Sequence, residues 1–262
     1  TTGTQNAGKN IVRLNSNQLN AMWINAAGTD PVCSTSSTSG ATWAALASEA
    51  GTETGVAIAT NGTGVIYTGM AAISGTGDIS YNYDPAGACN TAGNFSADVG
   101  TLTTNYRPDI AFDGVHNRYV VCAIGSTSND VGVAYATPSA TRILTWTTPS
   151  TSLAAVTSAS CSIDAYDTGN VFIASNEGAT GIRVYNSSAG TFATVTNVIA
   201  YSAAVSNMHL NIRGNTTLIT AVDSATSDLV LIWSTDGMTY TNATYTGTFQ
   251  DPEGCVDTNG NF

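Results

Sequence analysis

Three arginines are the first residues in this sequence whose type and spacing could do chemistry. Arg13, Arg107 and Arg213 each lie on or beside a segment that predicts a β-strand. A guanidinium group binds a carboxylate through two parallel hydrogen bonds, so three converging arginines would bind an acidic ligand. Glu177 is one of only four glutamates and falls in a predicted loop between a second and a third strand.

Aspartates on the predicted first strands of the structural units offer a second chemistry. Asp109, Asp164 and Asp257 could face a common channel, and glycoside hydrolysis uses two carboxylates held at a set separation. However, Asp257 aligns with the turn residues Asp113 and Asp167, whereas Asp109 and Asp164 do not share that alignment. Capping of turns and of solvated strand ends is therefore the favoured role of these acids.

Acidic residues also recur where third strands are predicted to begin, at Asp30, Asp78, Asp130 and Asp228. Such side chains could coordinate Ca²⁺, the one cofactor that this pattern suggests. A calcium loop concentrates several oxygen ligands within a dozen residues, and one aspartate per loop does not, so hydrogen bonding at the loop–strand junction is favoured. No metal site is predicted. Together with Glu177, these aspartates mark the candidate ligand-face loops at 25–30, 74–78, 125–130, 175–180 and 222–228.

The remaining candidates are the histidines and tryptophans. His116 and His209 occupy different positions in their units, so no Ser-His-Asp arrangement is predicted. The tryptophans lie mostly within strand patterns: Trp23, Trp43, Trp146 and Trp233. Packing between sheets is their expected role, and a platform on which a sugar stacks is the alternative for one of them.

The elements that position these residues repeat along the chain. A turn built from Asn, Asp or Gly recurs at spacings of about 44 to 54 residues, and a fixed period of this length is typical of a repeat protein. Within one unit, 109–112, 119–124, 130–135 and 143–146 predict four strands joined by short turns.

Repeated four-stranded antiparallel meanders of this length predict an all-β fold, a β-propeller, in which each sheet is one blade. We expect a single domain over 1–262 with five complete units, at about 10–48, 54–102, 107–150, 158–198 and 207–246. Residues 250–262 repeat only the start of a unit. Either the ring has five blades and this C-terminal strand helps to close it, or the chain is part of a longer polypeptide, which we favour because the segment matches a first strand. Because the chain begins at Thr1, we expect a mature or excised product.

Composition limits the classes of partner. The 262 residues carry a formal net charge of −11, and only 10% of them are charged. A net negative chain does not neutralise phosphates, so neither nucleic acid nor an anionic membrane surface is an expected partner, and no run is long enough to insert into a bilayer. The five cysteines show no metal-binding spacing. They suit either one or two disulfides formed in an oxidising compartment, which we favour, or buried thiols.

One short motif carries a resemblance to a known family. The segment 234–240, with Ser234, Asp236, Gly237 and Tyr240, resembles the Asp-box of sialidase-like (BNR-repeat) β-propellers, and 37–43, with Ser37, Gly40 and Trp43, is similar with a serine in place of the aspartate. The resemblance implies that these residues hold a corner between third and fourth strands. Sialidases of this kind use three arginines, a Tyr/Glu nucleophile pair and an acid/base Asp. Glu177 has no evident tyrosine partner in the sequence, so this set is not convincingly present here.

These observations predict a non-catalytic extracellular or particle-surface module for recognition or assembly, with a glycan or protein receptor as partner. One alternative is a structural component of a virus or phage particle, such as a tail, fibre or capsid ornament, where other subunits would be partners. The alternative from another class is a sialidase-type glycoside hydrolase.

Overall fold

The computed structural model describes residues 10–14, 17–25, 30–44, 47–48, 53–61, 67–73, 78–84, 97–103, 108–125, 130–141, 143–148, 153, 160–166, 168–250, 252–257, 259 and 261–262. Apart from one turn of 3-10 helix at Gly178–Thr180, these residues form strands, turns and loops. None of the described segments is a helix long and apolar enough to cross a membrane.

Within the described residues, nineteen strands form five antiparallel sheets, called blades 1 to 5, with neighbours in chain order. Blade 1 contains β1 (Ile11–Arg13), β2 (Leu19–Ile24), β3 (Pro31–Ser36) and β4 (Ala47–Ser48). Blade 2 contains β5 (Glu53–Thr60), β6 (Tyr67–Ile73), β7 (Asp78–Asp84) and β8 (Ala97–Thr103). Blade 3 contains β9 (Asp109–Asp113), β10 (Arg118–Ile124) and β11 (Val131–Ala136). Blade 4 contains β12 (Ser160–Ala165), β13 (Val171–Asn176), β14 (Ile182–Ser187) and β15 (Thr196–Tyr201). Blade 5 contains β16 (Val205–Arg213), β17 (Thr216–Asp223), β18 (Leu229–Ser234) and β19 (Thr241–Tyr245).

The first strands of successive blades lie side by side. β1 contacts β5, β5 contacts β9, β9 contacts β12, and β12 contacts β16. Meanders whose first strands meet in this order radiate from a common centre, which is the arrangement of a β-propeller. The predicted fold is confirmed.

Blade 3 differs from the prediction, because 143–146 does not form a regular fourth strand. Among the residues that the structure describes, the isolated bridges Tyr135–Thr147 and Val131–Leu153 connect β11 to this part of the chain. The reason is a long-range side chain: the Tyr81 hydroxyl of blade 2 accepts a hydrogen bond from the Leu144 N–H (2.9 Å) and donates one to its carbonyl (3.1 Å). The backbone groups of Leu144 are thereby satisfied without a strand ladder.

Four apolar clusters hold the blades together, one at each junction between consecutive blades. Met22 and Val56 belong to the first junction, Val121 and Tyr81 to the second, and the remaining two clusters join blades 3 and 4 and blades 4 and 5. Among the described residues no such cluster joins blade 5 to blade 1. These two blades therefore present faces to each other that do not share a core.

Side chains of the first strands also hydrogen-bond the next first strand. The buried Asp109 of β9 accepts hydrogen bonds from the Ser162 hydroxyl (2.7 Å) and the Ile163 N–H (2.9 Å) of β12. Asp164 of β12 accepts one from the Ile212 N–H of β16 (2.8 Å). Each acid satisfies backbone or hydroxyl donors of the following blade, so these acids connect blades around the centre.

The cysteines fall into two groups. Cys33 is disulfide-bonded, whereas Cys122, Cys161 and Cys255 are free thiols. Cys89 lies outside the described residues. Within the part of the chain that the structure describes, no group of three or more His, Cys, Asp or Glu side chains could hold a metal ion.

Candidate functional site: a groove between blades 5 and 1

The junction that lacks a shared core contains a groove. One cavity of about 390 Å³ lies between β1, β16 and the C-terminal segment 252–257. A second cavity of about 350 Å³ lies on the adjoining face of blade 1. Asn10 and Ile11 line both cavities, so we treat them as one site and call it the inter-blade groove. Its side chains come from Asn10, Ile11, Trp23, Trp43, His209, Asn211 and Glu253.

The C-terminal segment forms one wall of the groove because it is bonded to blade 5. The Thr220 hydroxyl donates to the Pro252 carbonyl (2.9 Å), and the Val256 N–H donates to Asn211 Oδ1 (3.1 Å). The second bond repeats the pattern in which a first-strand side chain accepts a backbone N–H from the next unit. Segment 252–257 therefore lies where the first strand of a sixth blade would lie.

A bulge in β16 turns two polar side chains towards the groove. The pairing register of β16 with β17 shifts between Ser206 and His209, and Asn207 adopts a left-handed conformation with φ of 49°. A bulge of this kind re-aims the side chains that follow it. Beyond the bulge, Leu210 packs in the core between blades 4 and 5, while His209 and Asn211 are half-buried and line the groove.

Blade 1 supplies the apolar wall. Ile11 is 59% exposed and Trp43 is 41% exposed, both high for large apolar side chains. The exposure of Trp43 follows from its position at the corner between the third and fourth strands of blade 1. At the corresponding corners of blades 3, 4 and 5, a large side chain packs on the preceding blade: Leu144, Phe192 and Tyr240. Blade 1 has no such neighbour, so Trp43 faces the groove.

One polar atom in the groove is unsatisfied. Asn10 Oδ1 is buried and has no hydrogen-bond partner among the protein groups described, although the Asn10 carbonyl accepts the Met22 N–H (2.9 Å). A buried acceptor without a donor costs about 1–3 kcal/mol. A ligand hydroxyl or amide that donated to this oxygen would remove that cost.

The chemistry of the groove suits a neutral polyhydroxylated ligand. Asn10, Asn211, His209 and Glu253 offer amide, imidazole and carboxylate groups, and Trp43 offers an exposed aromatic face. Sites for small ligands combine an apolar wall with a few polar groups that fix orientation. Glu253 is the only acid among the groove residues named, so the site does not attract an anionic ligand.

The predicted ligand-face residues lie elsewhere. Asp30, Asp130 and Asp228 each directly precede a third strand, and in each case the backbone carbonyl accepts an N–H from the end of the second strand at 2.8 or 2.9 Å. Asp78 is the first residue of β7, and its side chain lies outside the description. None of these four lines either cavity of the groove. The loop residues 26–29, 74–77 and 126–129 lie outside the described residues, so a ligand role for this face stays a prediction.

Glu177 does have a tyrosine partner, contrary to the prediction. The Tyr185 hydroxyl (2.8 Å) and the Arg183 Nε (2.8 Å) both donate to Glu177 Oε1. The Tyr185–Glu177 pair could not be recognised in the sequence because it is the β13–β14 hairpin that brings these residues, eight positions apart, together. Burial, followed by the adjacent Glu177 carboxylate, raises the pKa of Tyr185 far above its ordinary value. A phenol held in its protonated form inside the core of blades 3 and 4 is a poor nucleophile, so the pair holds the hairpin.

The inter-blade groove is not lined by the described candidates Arg13, Arg213, Asp257 and His116. Arg13 and Arg213 end the first strands β1 and β16, whereas Arg107 precedes the first strand β9 and lies outside the described residues. Asp257 accepts N–H groups from residues 259 and 261 of its own turn. His116 Nδ1 shares a 2.6 Å hydrogen bond with the buried Asp113, within the turn of blade 3.

The corner motif is shifted by one residue in blade 1. The prediction places the box serine at Ser37, but the hydroxyl that accepts the N–H groups of Thr38 (3.2 Å) and Gly40 (2.9 Å) belongs to Ser36. In blade 5 the Ser234 hydroxyl accepts the Gly237 N–H (2.8 Å) in the same way. The shift escapes notice in the sequence because 36 and 37 are both serine.

Asp236 completes the corner in blade 5. Its carboxylate accepts hydrogen bonds from the backbone N–H groups of Thr239 (2.7 Å) and Met238 (2.8 Å) and from the Ser234 hydroxyl (2.8 Å). These donors, with that of Thr239 first, hold the pKa of Asp236 well below its ordinary value. The carboxylate is fully used in turn structure, which leaves no acid for catalysis at this corner.

Sequence reasoning missed Asn10, Ile11, Asn211 and Glu253 as site residues. The available signal was the partial sixth unit at 250–262, which implied that one junction between units differs from the rest. The apolar Ile11 on a first strand was the second signal. Its exposure could not be predicted from the local sequence, because it depends on the lack of a core shared by blades 5 and 1.

Solved structures share this architecture at low sequence identity. Aleuria aurantia lectin in complex with alpha-methyl-L-fucoside matches with a TM-score of 0.58 and 12% identity, over 87% of this chain and 74% of the lectin. A protein of unknown function from Dyadobacter fermentans matches with a TM-score of 0.59 and 12% identity, over 91% of this chain and 83% of that one. A Hadza microbial sialidase matches with a TM-score of 0.54 and 11% identity, over 90% of this chain but only 52% of the sialidase.

No protein-family model matches the sequence, and no curated protein matches it. Identities of 11–12% show a shared β-propeller fold. Because this fold carries both a sugar-binding lectin and a sialidase, function has to be argued from the residues of the site.

Proposed function

We propose that this chain is a non-catalytic carbohydrate-binding module that holds a neutral glycan in the inter-blade groove. The observation that carries the proposal is the combination in one groove of the exposed Trp43 with the unsatisfied acceptor Asn10 Oδ1. The lectin with the same fold is solved with a fucoside bound, which supports a sugar as ligand.

The groove matches the two kinds of surface that a sugar presents. The C–H face of a pyranose ring is apolar and packs on an aromatic ring such as that of Trp43, while its hydroxyls need donors and acceptors. Asn10 Oδ1 accepts a hydroxyl proton, and the half-buried His209 and Asn211 lie across the same cavity. The cavity of about 390 Å³ lies within the usual range for small-ligand sites.

The groove is poorly suited to hydrolysis. Retaining and inverting glycosidases place two carboxylates across the scissile bond, and Glu253 is the single carboxylate among the groove residues named above. The acids of β9 and β12 are occupied in bonds between blades. The Tyr185–Glu177 pair lies in the core between blades 3 and 4 and holds a hairpin.

The setting proposed for the module is extracellular or on a particle surface. The disulfide at Cys33 fits an oxidising compartment, and a surface with 10% charged residues fits a protein that presents hydroxyls and amides to solvent. The kinship with Asp-box repeats is part of the same proposal, supported by the serine-centred corners of blades 1 and 5.

A glycan array of immobilised neutral and sialylated sugars tests the proposal, with methyl α-L-fucoside as the first soluble competitor. We expect binding to neutral glycans that Trp43→Ala lowers at least tenfold and that Asn10→Ala also weakens. Tyr245→Ala removes an aromatic side chain that is 53% exposed on blade 5 and serves as the matched control.

Two results would overturn the proposal. One is the absence of binding to any glycan at high protein concentration. The other is release of fluorophore from a panel of fluorogenic glycosides by the wild type, because turnover would make the chain an enzyme.

A further inference from the structure

Two free thiols face each other in the core between blades 3 and 4. Cys122 lies on β10 and Cys161 on β12, the first strand of the next blade, and both side chains are fully buried. They belong to the same apolar cluster as Val120 and Ile163. β10 packs directly against β12, and the Cys161 side chain is one of the groups that act on the Cys122 thiol, so the two cysteines are neighbours across the junction.

We propose that Cys122 and Cys161 form a disulfide that clamps blade 3 to blade 4 when the chain folds in an oxidising medium. The pair differs from Cys255, which is exposed and lies in the C-terminal segment. It also differs from Cys33, whose disulfide is already present. The bond would link strands of two consecutive units whose contact is otherwise non-covalent.

The chemistry is ordinary thiol–disulfide exchange with glutathione disulfide as the oxidant. The Cys122 thiolate attacks one sulfur of glutathione disulfide, forms a mixed disulfide and releases one glutathione. The Cys161 thiolate then attacks the protein sulfur of that mixed disulfide, forms the Cys122–Cys161 bond and releases the second glutathione. The two protein thiols lose their protons, the two departing glutathione thiolates take up two protons, and the two electrons reduce glutathione disulfide to two molecules of glutathione.

The bond forms during folding rather than in the folded protein. Both thiols are shielded from an oxidant once the blades have packed. Burial also raises the pKa of the Cys122 thiol, which keeps it in the unreactive protonated form. The folded, reduced protein should therefore retain these two thiols in the presence of an oxidant.

The test is to denature and reduce the full chain, refold it in a glutathione redox buffer, and count free thiols after denaturation in alkylating reagent. A chain whose one disulfide is that of Cys33 shows three thiols, namely Cys122, Cys161 and Cys255. We expect one thiol after oxidative refolding, and peptide mapping should find Cys122 linked to Cys161. Three remaining thiols, or a linkage of either residue to another cysteine, would overturn the proposal.

Thermal unfolding gives an independent readout. The bond would close a loop of about 40 residues, so the oxidised protein should unfold at a Tm higher by roughly 5–10 °C than Cys161→Ala refolded in the same buffer. Cys255→Ala is the matched control, and its Tm should follow that of the oxidised wild type. If Cys161→Ala does not fold, the thiol count and peptide map of the wild type still decide the question.

Discussion

Removing the carboxylate of Asp109 should destabilise the propeller more than removing that of Asp164, the acid of the following first strand. This side chain is fully buried and accepts hydrogen bonds from the Ser162 hydroxyl and the Ile163 N–H of the next blade. In Asp109→Ala both donors lose their acceptor while they remain inside the protein.

The expected magnitude follows from the number of donors left without a partner. Each buried, unsatisfied donor costs about 1–3 kcal/mol, so the two donors of the next blade lower the free energy of unfolding by about 2–6 kcal/mol. Globular proteins have a total stability of about 5–15 kcal/mol. The variant should therefore be folded but much closer to its unfolding midpoint than the wild type.

Urea unfolding, followed by tryptophan fluorescence and by circular dichroism, measures this change. With a slope of about 3 kcal/mol per molar urea, the midpoint of Asp109→Ala should fall by roughly 0.7–2 M. Asp164→Ala is a graded comparison, because that half-buried carboxylate accepts a single N–H of the next blade, from Ile212. Asp130→Ala, before β11, should change stability by less than about 0.5 kcal/mol.

A different ordering would refute this account of the centre of the propeller. If Asp109→Ala unfolded at the same urea concentration as Asp130→Ala, the hydrogen bonds between first strands would not stabilise the ring. The same conclusion would follow if Asp164→Ala were the more damaging substitution.

Three further predictions concern single positions. The pKa of Asp236 is lowered in the folded protein, so the stabilisation that its carboxylate gives is fully present above the ordinary Asp pKa of about 4 and is lost as the pH falls through the folded-state pKa. Asp236→Asn should therefore lower the Tm at pH 7. The difference in Tm between the wild type and this variant should become smaller in acid. Tyr81→Phe removes a hydroxyl that satisfies two backbone groups of blade 3 and should lower the free energy of unfolding in urea by about 1–3 kcal/mol. Gly181→Ala should lower it by at least about 2 kcal/mol, because φ is 91° and a Cβ atom would collide with the Tyr201 carbonyl oxygen, whereas Gly114→Ala meets no atom within 4 Å and should be nearly neutral.

The fold could be predicted from the sequence because its determinants are local and repeated. Asp113 shows why: its carboxylate accepts the N–H groups of Val115 and His116 in the turn that the Asp-Gly pair predicts. Alternation of buried and exposed residues then identifies the flanking strands. The prediction of a fourth strand in blade 3 was wrong because the hydrogen-bond partner of Leu144 is Tyr81, which lies 63 positions away in the sequence.

The candidate site was harder to predict because it lies at the junction between the last blade and the first. Trp43 follows the same corner motif as Tyr240, and from sequence alone both read as core residues. Tyr240 packs between blades 4 and 5, whereas Trp43 remains 41% exposed, since the face it meets belongs to the groove. No local pattern distinguishes the two positions, and only the arrangement of the blades does.

A crystal structure of the protein soaked with the tightest-binding neutral glycan from the array tests the central claim most directly. The account predicts a sugar ring stacked on Trp43, with a hydroxyl within hydrogen-bonding distance of Asn10 Oδ1. A sugar bound over the loops at 175–180 and 222–228, with the inter-blade groove left empty, would contradict it.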